Sequence, residues 1–250
     1  MFKPVWSVML TLAVWCACSG GPDDGPAPGG GDTTSSSSGG AVRTVGTGVL
    51  LYKGAGGGGH PAVYHPDDVE TFYRARGFTV AQDTSLPSNV ADENALVVLL
   101  NPREDLPAGE VSLLQTFLSR GGRVAVFMEH CKNGCYGSPD QLNALFQALG
   151  VNMVMHADGG TDTTTVETLS VTAVPPLTTG TEQLAVLYTA SITTSGTAQV
   201  VARAGNGDVV MAYQALGLGS VVAVADTNPL GTARTDGDNP ALLEALANRF

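Results

Sequence analysis

The sequence has few basic residues and no cluster of them. Only 12 Lys and Arg residues stand against 23 Asp and Glu residues, which gives a formal net charge of −11. Nucleic acids and anionic lipid headgroups bind proteins largely through clustered Lys and Arg side chains. The sequence therefore argues against nucleic acid as a partner and against binding to anionic headgroups. We interpret the acidity as a source of solubility rather than as the mark of a particular partner.

Several signatures of cofactor and metal sites are also missing. The glycine-rich residues 53–59 lack the Gly-Lys-Ser/Thr ending of a P-loop and do not lead directly into a helix, so they predict a mobile loop. His60 and His65 have an i, i+5 spacing, which is not that of a helical metal pair, and we interpret them as loop or cap residues. The sequence thus predicts no cofactor and no metal ion.

The N-terminus carries an apolar stretch that is typical of a secretory signal. Lys3 precedes the apolar stretch 5–14, which is interrupted only by Ser7 and Thr11 and is too short to span a membrane well. The small residues around Cys18 resemble the end of a bacterial lipoprotein signal, in which cleavage precedes a cysteine that becomes lipid-modified. We predict that residues 1–17 are the signal peptide and that Cys18 is lipidated, with Cys16 as the other candidate. Ordinary secretion and an uncleaved anchor are the alternatives.

Residues 18–44 have the composition of a flexible tether. Apart from Ala27, the chain between residues 20 and 40 is made of Gly, Pro, Ser, Thr and Asp, with no large apolar side chain that could offset the entropy lost on ordering. Such a tether suits a lipoprotein that holds a folded domain at a membrane surface. We therefore expect the protein at the bacterial cell envelope, attached to the membrane by its lipid, with residues 45–250 as one domain.

Buried strands and amphipathic helices alternate in the first part of this domain. Residues 95–100 are six consecutive apolar residues, which is typical of a parallel strand that is covered on both faces. The predicted strands are 48–52, 78–81, 95–100 and 123–128, and the predicted helices are 66–76, 107–120 and 139–149. This alternation predicts an α/β sandwich with a mostly parallel sheet.

Two helix starts have explicit sequence signals. Pro107 can occupy the first turn of its helix, where a missing N–H costs nothing. Ser138 and Gln141 have the spacing of a capping box, with Pro139 as the first helical residue. Both helices therefore have a predicted first turn.

Residues 151–215 are rich in Thr and Val and predict a β-rich insertion. The predicted strands are 151–155, 163–174, 184–193, 198–203 and 209–214, with a hairpin turn at residues 205–208. We expect these strands to be antiparallel. A buried strand at 220–225 and a closing helix, capped by Asn239 and beginning with Pro240, then return to the first pattern.

The chain resembles the class I glutamine amidotransferase-like superfamily. The similarity lies in residues 96–100, Asn101-Pro102, residues 107–122 and residues 124–127, which match its strand, helix, Gly-Gly, strand unit. Residues 222–229 with 239–243 resemble the ending of its non-catalytic branches, which include bacterial proteins of unknown function and gliding-associated or intraflagellar-transport subunits. The resemblance implies a flavodoxin-like three-layer sandwich with an antiparallel β-rich insertion.

The catalytic residues of that superfamily do not carry over. Its active members place a cysteine within Gly-x-Cys-x-Gly directly after a strand and use a late His-x-Glu. Cys131 has Glu129 and Asn133 in place of the glycines, and no histidine follows His156. The resemblance therefore implies a domain that lacks the Cys-His-Glu triad.

Cys131 and Cys135 are interpreted as a disulfide that closes a small loop. Export normally oxidises a nearby pair of cysteines, and Asn133-Gly134 suits the bend between them. A metal site with His130 and a reactive thiol are the alternatives.

The carboxyl ends of the predicted parallel strands define the candidate site. Ligands bind at this edge in open α/β sheets. The polar residues there are Lys53, Asn101, Arg103, Glu129, His130 and Asp226, and we expect them to converge on one crevice. Glu129 and His130 could act as an acid/base pair, with Asp226 orienting a partner. A structural role for each residue is the alternative.

The absent triad on a retained scaffold favours a tethered, non-catalytic domain that binds a protein, a glycan or a small ligand. An envelope hydrolase that uses Glu129, His130 and Asp226 is the alternative function. A purely structural role in a surface complex is a third hypothesis.

Overall fold

A mixed nine-stranded sheet forms the centre of the domain. The computed structural model describes residues 45–57, 66–131, 136–160, 165–175 and 177–248. The strands are β1 Gly48–Tyr52, β2 Val80–Asp83, β3 Asn94–Leu100, β4 Arg123–Phe127, β5 Met153–His156, β6 Glu167–Ser170, β7 Gln183–Val186, β8 Ser191–Thr194, β9 Gln199–Arg203, β10 Val209–Leu216 and β11 Gly219–Val224. The helices are α1 Pro66–Arg74, α2 Val90–Glu93, α3 Ala108–Ser119, α4 Pro139–Leu149 and α5 Asn239–Ala247.

Five of the nine strands run parallel, and the other four extend the sheet in antiparallel pairs. The strand order is β2-β1-β3-β4-β11-β10-β8-β5, and β9 also pairs with β10. Strands β2, β1, β3, β4 and β11 run parallel, whereas β10, β8 and β5 continue the sheet in antiparallel pairs. The predicted β-rich insertion therefore extends the central sheet, and only β6 and β7 pair separately.

Helices cover both faces of the sheet, as its fully buried parallel strands require. Leu114 of α3 and Phe146 of α4 belong to the apolar core on one face. Phe72 of α1 and Leu242 of α5 belong to the core on the other face, together with the separate β6–β7 hairpin. The molecule is a three-layer α/β sandwich, and the predicted fold class is confirmed.

The predicted strand at 184–193 is wrong, because the structure divides it into β7 and β8. Tyr188 lies between them with a φ of 41°. The N–H of Leu187 donates to the Asp226 carboxylate instead of to a neighbouring strand. A side chain distant in sequence thus interrupts a stretch whose composition favours a strand.

Two predicted helix starts are wrong by one residue, and one predicted capping bond does not form. Ser138 precedes α4 but makes no side-chain capping bond, so the predicted capping box does not form. Pro107 lies just before α3 with a ψ of 141°, because it is extended rather than helical. At α5 the cap position belongs to Asp238, since Asn239 already lies in the helix. In addition, the short helix α2 was not predicted.

Other predictions lie close to the structure. The helix predicted at 139–149 has the bounds of α4, and the hairpin turn at 205–208 joins the antiparallel pair β9 and β10. Within the described ranges, no helix has the length and apolar character that a membrane span needs. The signal peptide, the tether, Cys18, Cys135, His60 and His65 lie outside the described residues.

Candidate functional site

Three neighbouring parallel strands end at the same place and bring three polar side chains together. Asn101 follows β3, Glu129 lies two residues beyond β4, and Asp226 lies two residues beyond β11. Their exposed fractions are 0%, 1% and 0%, respectively. The sequence therefore predicted the convergence of these residues, but they lie inside the protein rather than on the wall of an open crevice.

Asp226 is held by three hydrogen bonds from neighbouring loops. Its Oδ2 accepts the Leu187 N–H at 2.8 Å. Its Oδ1 accepts the Asn228 backbone N–H at 2.8 Å and the Asn228 side-chain N–H at 2.7 Å. Burial, and then the charge of Glu129, raise the pKa of Asp226 well above its usual range, although these hydrogen bonds oppose the shift. The raised pKa thus favours the protonated form of Asp226 over its ionised form.

Glu129 is likewise engaged by its neighbours. The Thr227 hydroxyl donates a short hydrogen bond to Glu129 Oε2. Glu129 Oε1 accepts the backbone N–H of His130 at 3.3 Å and lies 3.5 Å from His130 Nε2. Glu129 and His130 therefore lie side by side, with Glu129 buried and His130 at 9% exposure, and their acid/base role stays a prediction.

Asn101 joins the ends of β3 and β4. It has a φ of 46°, which asparagine tolerates better than most residues. Its Oδ1 accepts the Glu129 N–H at 3.2 Å, and its Nδ2 donates to the Tyr136 carbonyl at 2.6 Å. Gly137 then packs so closely that an added Cβ would overlap the Glu129 carbonyl oxygen. Asn101 therefore positions the returning loop rather than facing solvent.

An aromatic cluster, formed by His130, Tyr136 and Tyr188, lies beside Glu129. The ring centroids of His130 and Tyr188 are 5.3 Å apart with an interplanar angle of 36°. Those of His130 and Tyr136 are 6.2 Å apart at 77°. Both tyrosines are partly exposed. This cluster is the part of the site that reaches the surface.

Two residues predicted for the site are engaged elsewhere or exposed. Lys53 donates to the Gln82 side chain at 2.7 Å. Arg103 is exposed, and its backbone N–H donates to the carbonyl of Ala55.

The Cys131 sulfur lies 3.7 Å from the Gly137 carbonyl oxygen. Its pairing with Cys135 stays a prediction, because Cys135 is outside the described residues.

Sequence reasoning missed several residues that build this region. Thr227 and Asn228 are 1% and 4% exposed and bind the two acids. Asn239 pairs with both backbone groups of Ala185, accepting its N–H at 3.0 Å and donating to its carbonyl at 2.8 Å. The signal that could have found them is their polarity directly beside apolar elements. Among the described residues no group of three or more His, Cys, Asp or Glu side chains could hold a metal ion.

The hydrogen bonds of Asp226 and Glu129 hold both carboxylates in a fixed polar centre, and each acid lies beneath the surface.

No family model matches the sequence, and no curated protein matches it. Solved structures are similar in fold. The N-terminal domain of mmIFT52 has a TM-score of 0.61 and 13% identity, covering 80% of this chain and 98% of that one. A GMP synthase-like protein from Thermoplasma acidophilum has a TM-score of 0.50 and 11% identity, covering 80% and 91%.

A ThuA-like protein from Bacteroides uniformis has a TM-score of 0.51 and 11% identity, covering 82% of this chain and 91% of that one. At these identities the similarity concerns the fold alone. The chain therefore has a class I glutamine amidotransferase-like α/β fold.

Proposed function

We propose that this protein is a membrane-tethered, non-catalytic binding domain at the bacterial cell envelope, from a branch of the amidotransferase-like fold without the Cys-His-Glu triad. One observation carries the proposal: the two acids at the carboxyl edge of the sheet are buried and held by hydrogen bonds, while the aromatic cluster beside them reaches the surface. Fixed acids and partly exposed rings suit recognition, because neither acid is placed to contact a substrate directly.

The residues around β4 and β11 support the non-catalytic assignment. Active members of the fold place a cysteine elbow directly after a strand, whereas β4 is followed here by Met128, Glu129 and His130. After β11 the chain reads Asp226, Thr227 and Asn228, and their side chains bond to one another and to Glu129. At the position where active members carry their late His-x-Glu, this chain therefore has side chains that make hydrogen bonds inside the protein.

The tether is tested by the mass of the mature protein extracted from bacterial membranes. We expect cleavage before Cys18 and a mass increase equal to a lipid modification. The Cys18→Ser variant should lose the lipid and leave the membrane fraction, whereas the matched Cys16→Ser variant should keep both. Lipid retained in Cys18→Ser and lost in Cys16→Ser would move the anchor to Cys16. An unlipidated wild-type chain would contradict the tether altogether.

The same material tests the cysteine pair. A disulfide between Cys131 and Cys135 leaves no free thiol in the mature chain, so alkylation before reduction should add no mass. Labelling of Cys131 without reductant would contradict the disulfide and restore the reactive-thiol hypothesis.

A hydrolase that uses Glu129, His130 and Asp226 is the second candidate function, because a raised pKa on a buried acid beside a second acid is typical of catalytic pairs. A panel of ester and glycoside substrates tests it. Turnover that falls at least about 100-fold in Glu129→Gln would favour the hydrolase. Absence of turnover by correctly folded wild-type protein would favour the binding domain.

A further inference from the structure

The aromatic cluster has the shape of a corner. Tyr188 lies 36° from the plane of His130, whereas Tyr136 meets it nearly edge-on at 77°. Rings at such different angles cannot form a single stack, so the two tyrosine rings face different directions and a ligand can contact each of them from a different side. Tyr136 and Tyr188 each leave part of their surface exposed.

The backbone at each tyrosine is hydrogen-bonded to a buried side chain at this edge of the sheet. The residue before Tyr188 donates its N–H to Asp226 at 2.8 Å. Tyr136 is held by Asn101, whose Oδ1 also accepts the N–H of Glu129. The Asp226 carboxylate therefore holds the backbone next to Tyr188, whereas the Asn101 side chain holds the backbone at Tyr136.

The electrostatics of this corner favour a cation. Aromatic faces carry negative potential, and tyrosine rings attract ammonium groups within about 6 Å. Glu129 adds a carboxylate that is 1% exposed and thus only weakly screened by solvent. Lys53, the cation predicted for this edge, binds Gln82 instead. An anion would meet repulsion here, and a neutral ligand would gain from the rings alone.

Resting on the proposed binding function, we propose that the corner of His130, Tyr136 and Tyr188 binds an organic ammonium group, with Glu129 supplying the negative charge beneath it. The ammonium group lies against the tyrosine rings, and its charge is balanced through space. The net charge of −11 adds a long-range attraction for cationic ligands. The ligand class is thus an alkylammonium compound rather than a phosphate, a carboxylate or an uncharged sugar.

Tetramethylammonium chloride is the probe, titrated at constant ionic strength into the mature protein, which begins at Cys18. Tyrosine emission is a convenient signal, because the two tryptophans, Trp6 and Trp15, both precede the predicted cleavage site. Tert-butyl alcohol is the neutral probe of similar shape, and methyl glucoside is the uncharged sugar. We expect saturable binding of tetramethylammonium, and binding at least about tenfold weaker for both neutral probes.

Variants test the two sources of attraction separately. Tyr188→Leu removes a ring and Glu129→Gln removes the charge, and each should weaken tetramethylammonium binding by about tenfold. Tyr188→Phe keeps the ring and should bind more tightly than Tyr188→Leu. Asp140→Asn removes an exposed acid of α4 and serves as the charge control. Circular dichroism and thermal unfolding establish that each variant is folded.

Three results would overturn the proposal: no saturable binding of tetramethylammonium, equal affinity for the neutral probes, or equal affinity in folded Tyr188→Leu and Glu129→Gln. Amide chemical shifts separate this failure from failure of the proposed function. If methyl glucoside alone changes the amide chemical shifts around Tyr188, the ammonium inference is wrong, but this edge of the sheet is still a binding site. If tetramethylammonium, methyl glucoside and envelope extract all leave these signals unmoved, the ammonium inference and the binding function both fail.

Discussion

Asp226 shows how one residue can be both buried and satisfied. Its carboxylate accepts hydrogen bonds from Leu187 and Asn228. Removing the carboxylate would leave these N–H donors without their acceptor. Burial and the neighbouring Glu129 nevertheless disfavour its ionised form. The hydrogen bonds hold the loops, while burial and the charge of Glu129 raise the pKa of Asp226.

We expect the stability contributed by Asp226 to fall as pH rises. Because its pKa is higher in the folded than in the unfolded protein, the folded state binds the proton more tightly. The contribution is complete below the unfolded pKa of about 3.9 and is lost as pH rises through the raised folded pKa. Asp226→Asn cannot ionise, so the stability of wild type relative to this variant should decline from about pH 4 upward. Urea unfolding across the pH range measures this difference.

Two further variants make that test specific. Asp140→Asn changes an exposed acid and should show no such trend relative to wild type. Glu129→Gln removes the second cause of the raised pKa and should reduce the pH dependence that is due to Asp226. A wild-type to Asp226→Asn difference that is constant with pH would contradict the raised pKa.

Several site residues could be predicted because each follows a strand. Asn101, Glu129, His130 and Asp226 come just after apolar runs, and parallel strands bring their carboxyl ends to one edge. Burial could not be predicted in the same way, since it depends on how the loops return over the sheet. Tyr188 was missed because the divided strand that positions it could not be read from composition.

At the level of elements, Asn239 joins α5 to β7. Its side chain makes two hydrogen bonds to Ala185 and a third, at 2.7 Å, to the Ala233 carbonyl. Asp238 accepts the N–H groups of Glu182 and Gln183 just beside it. The first turn of the helix thus provides hydrogen-bonding partners for the edge of a short strand.

Asn239→Ala should destabilise the domain by roughly 2–4 kcal/mol, because it leaves buried backbone groups of Ala185 and Ala233 without these partners. Chemical denaturation measures the loss, and faster hydrogen exchange at the Ala185 N–H would locate it on β7. Asn248→Ala, an exposed position after the same helix, is the control and should change stability by less than about 0.5 kcal/mol. Equal stability of both variants would show that the Asn239 contacts contribute little.

Elements were predictable where local sequence and tertiary environment agree. Strands β3 and β11 are buried along their whole length, so most of their residues are apolar and both strands can be recognised in the sequence. The stretch 184–193 was different, because Asp226, a residue 39 positions from Leu187, determines where β7 ends. The first-turn position of Pro107 and the capping bond of Ser138 were wrong, since their geometry depends on the loop that enters each helix.

At the scale of the molecule, one continuous sheet has a parallel part and an antiparallel part. The parallel strands hold the polar edge, and β10 pairs with β11 to continue the same sheet into the antiparallel part. The separate β6–β7 hairpin packs on one face, where Asp226 and Asn239 bind its end. The β-rich insertion is therefore also part of the support for the candidate site.

The N-terminal limit of the folded domain can be tested with two shortened chains. Val45 is 6% exposed and packs in the core beneath α2, and the Gly46 N–H donates to the Ala91 carbonyl at 3.0 Å. A chain that begins at Ala41 keeps these contacts, whereas one that begins at Gly48 keeps β1 but loses them. We expect the shorter chain to be less stable by roughly 1–3 kcal/mol, from the lost apolar burial and hydrogen bond. Urea unfolding of the two chains side by side measures the difference. Equal midpoints and slopes would place the start of the folded domain at β1 rather than at Val45.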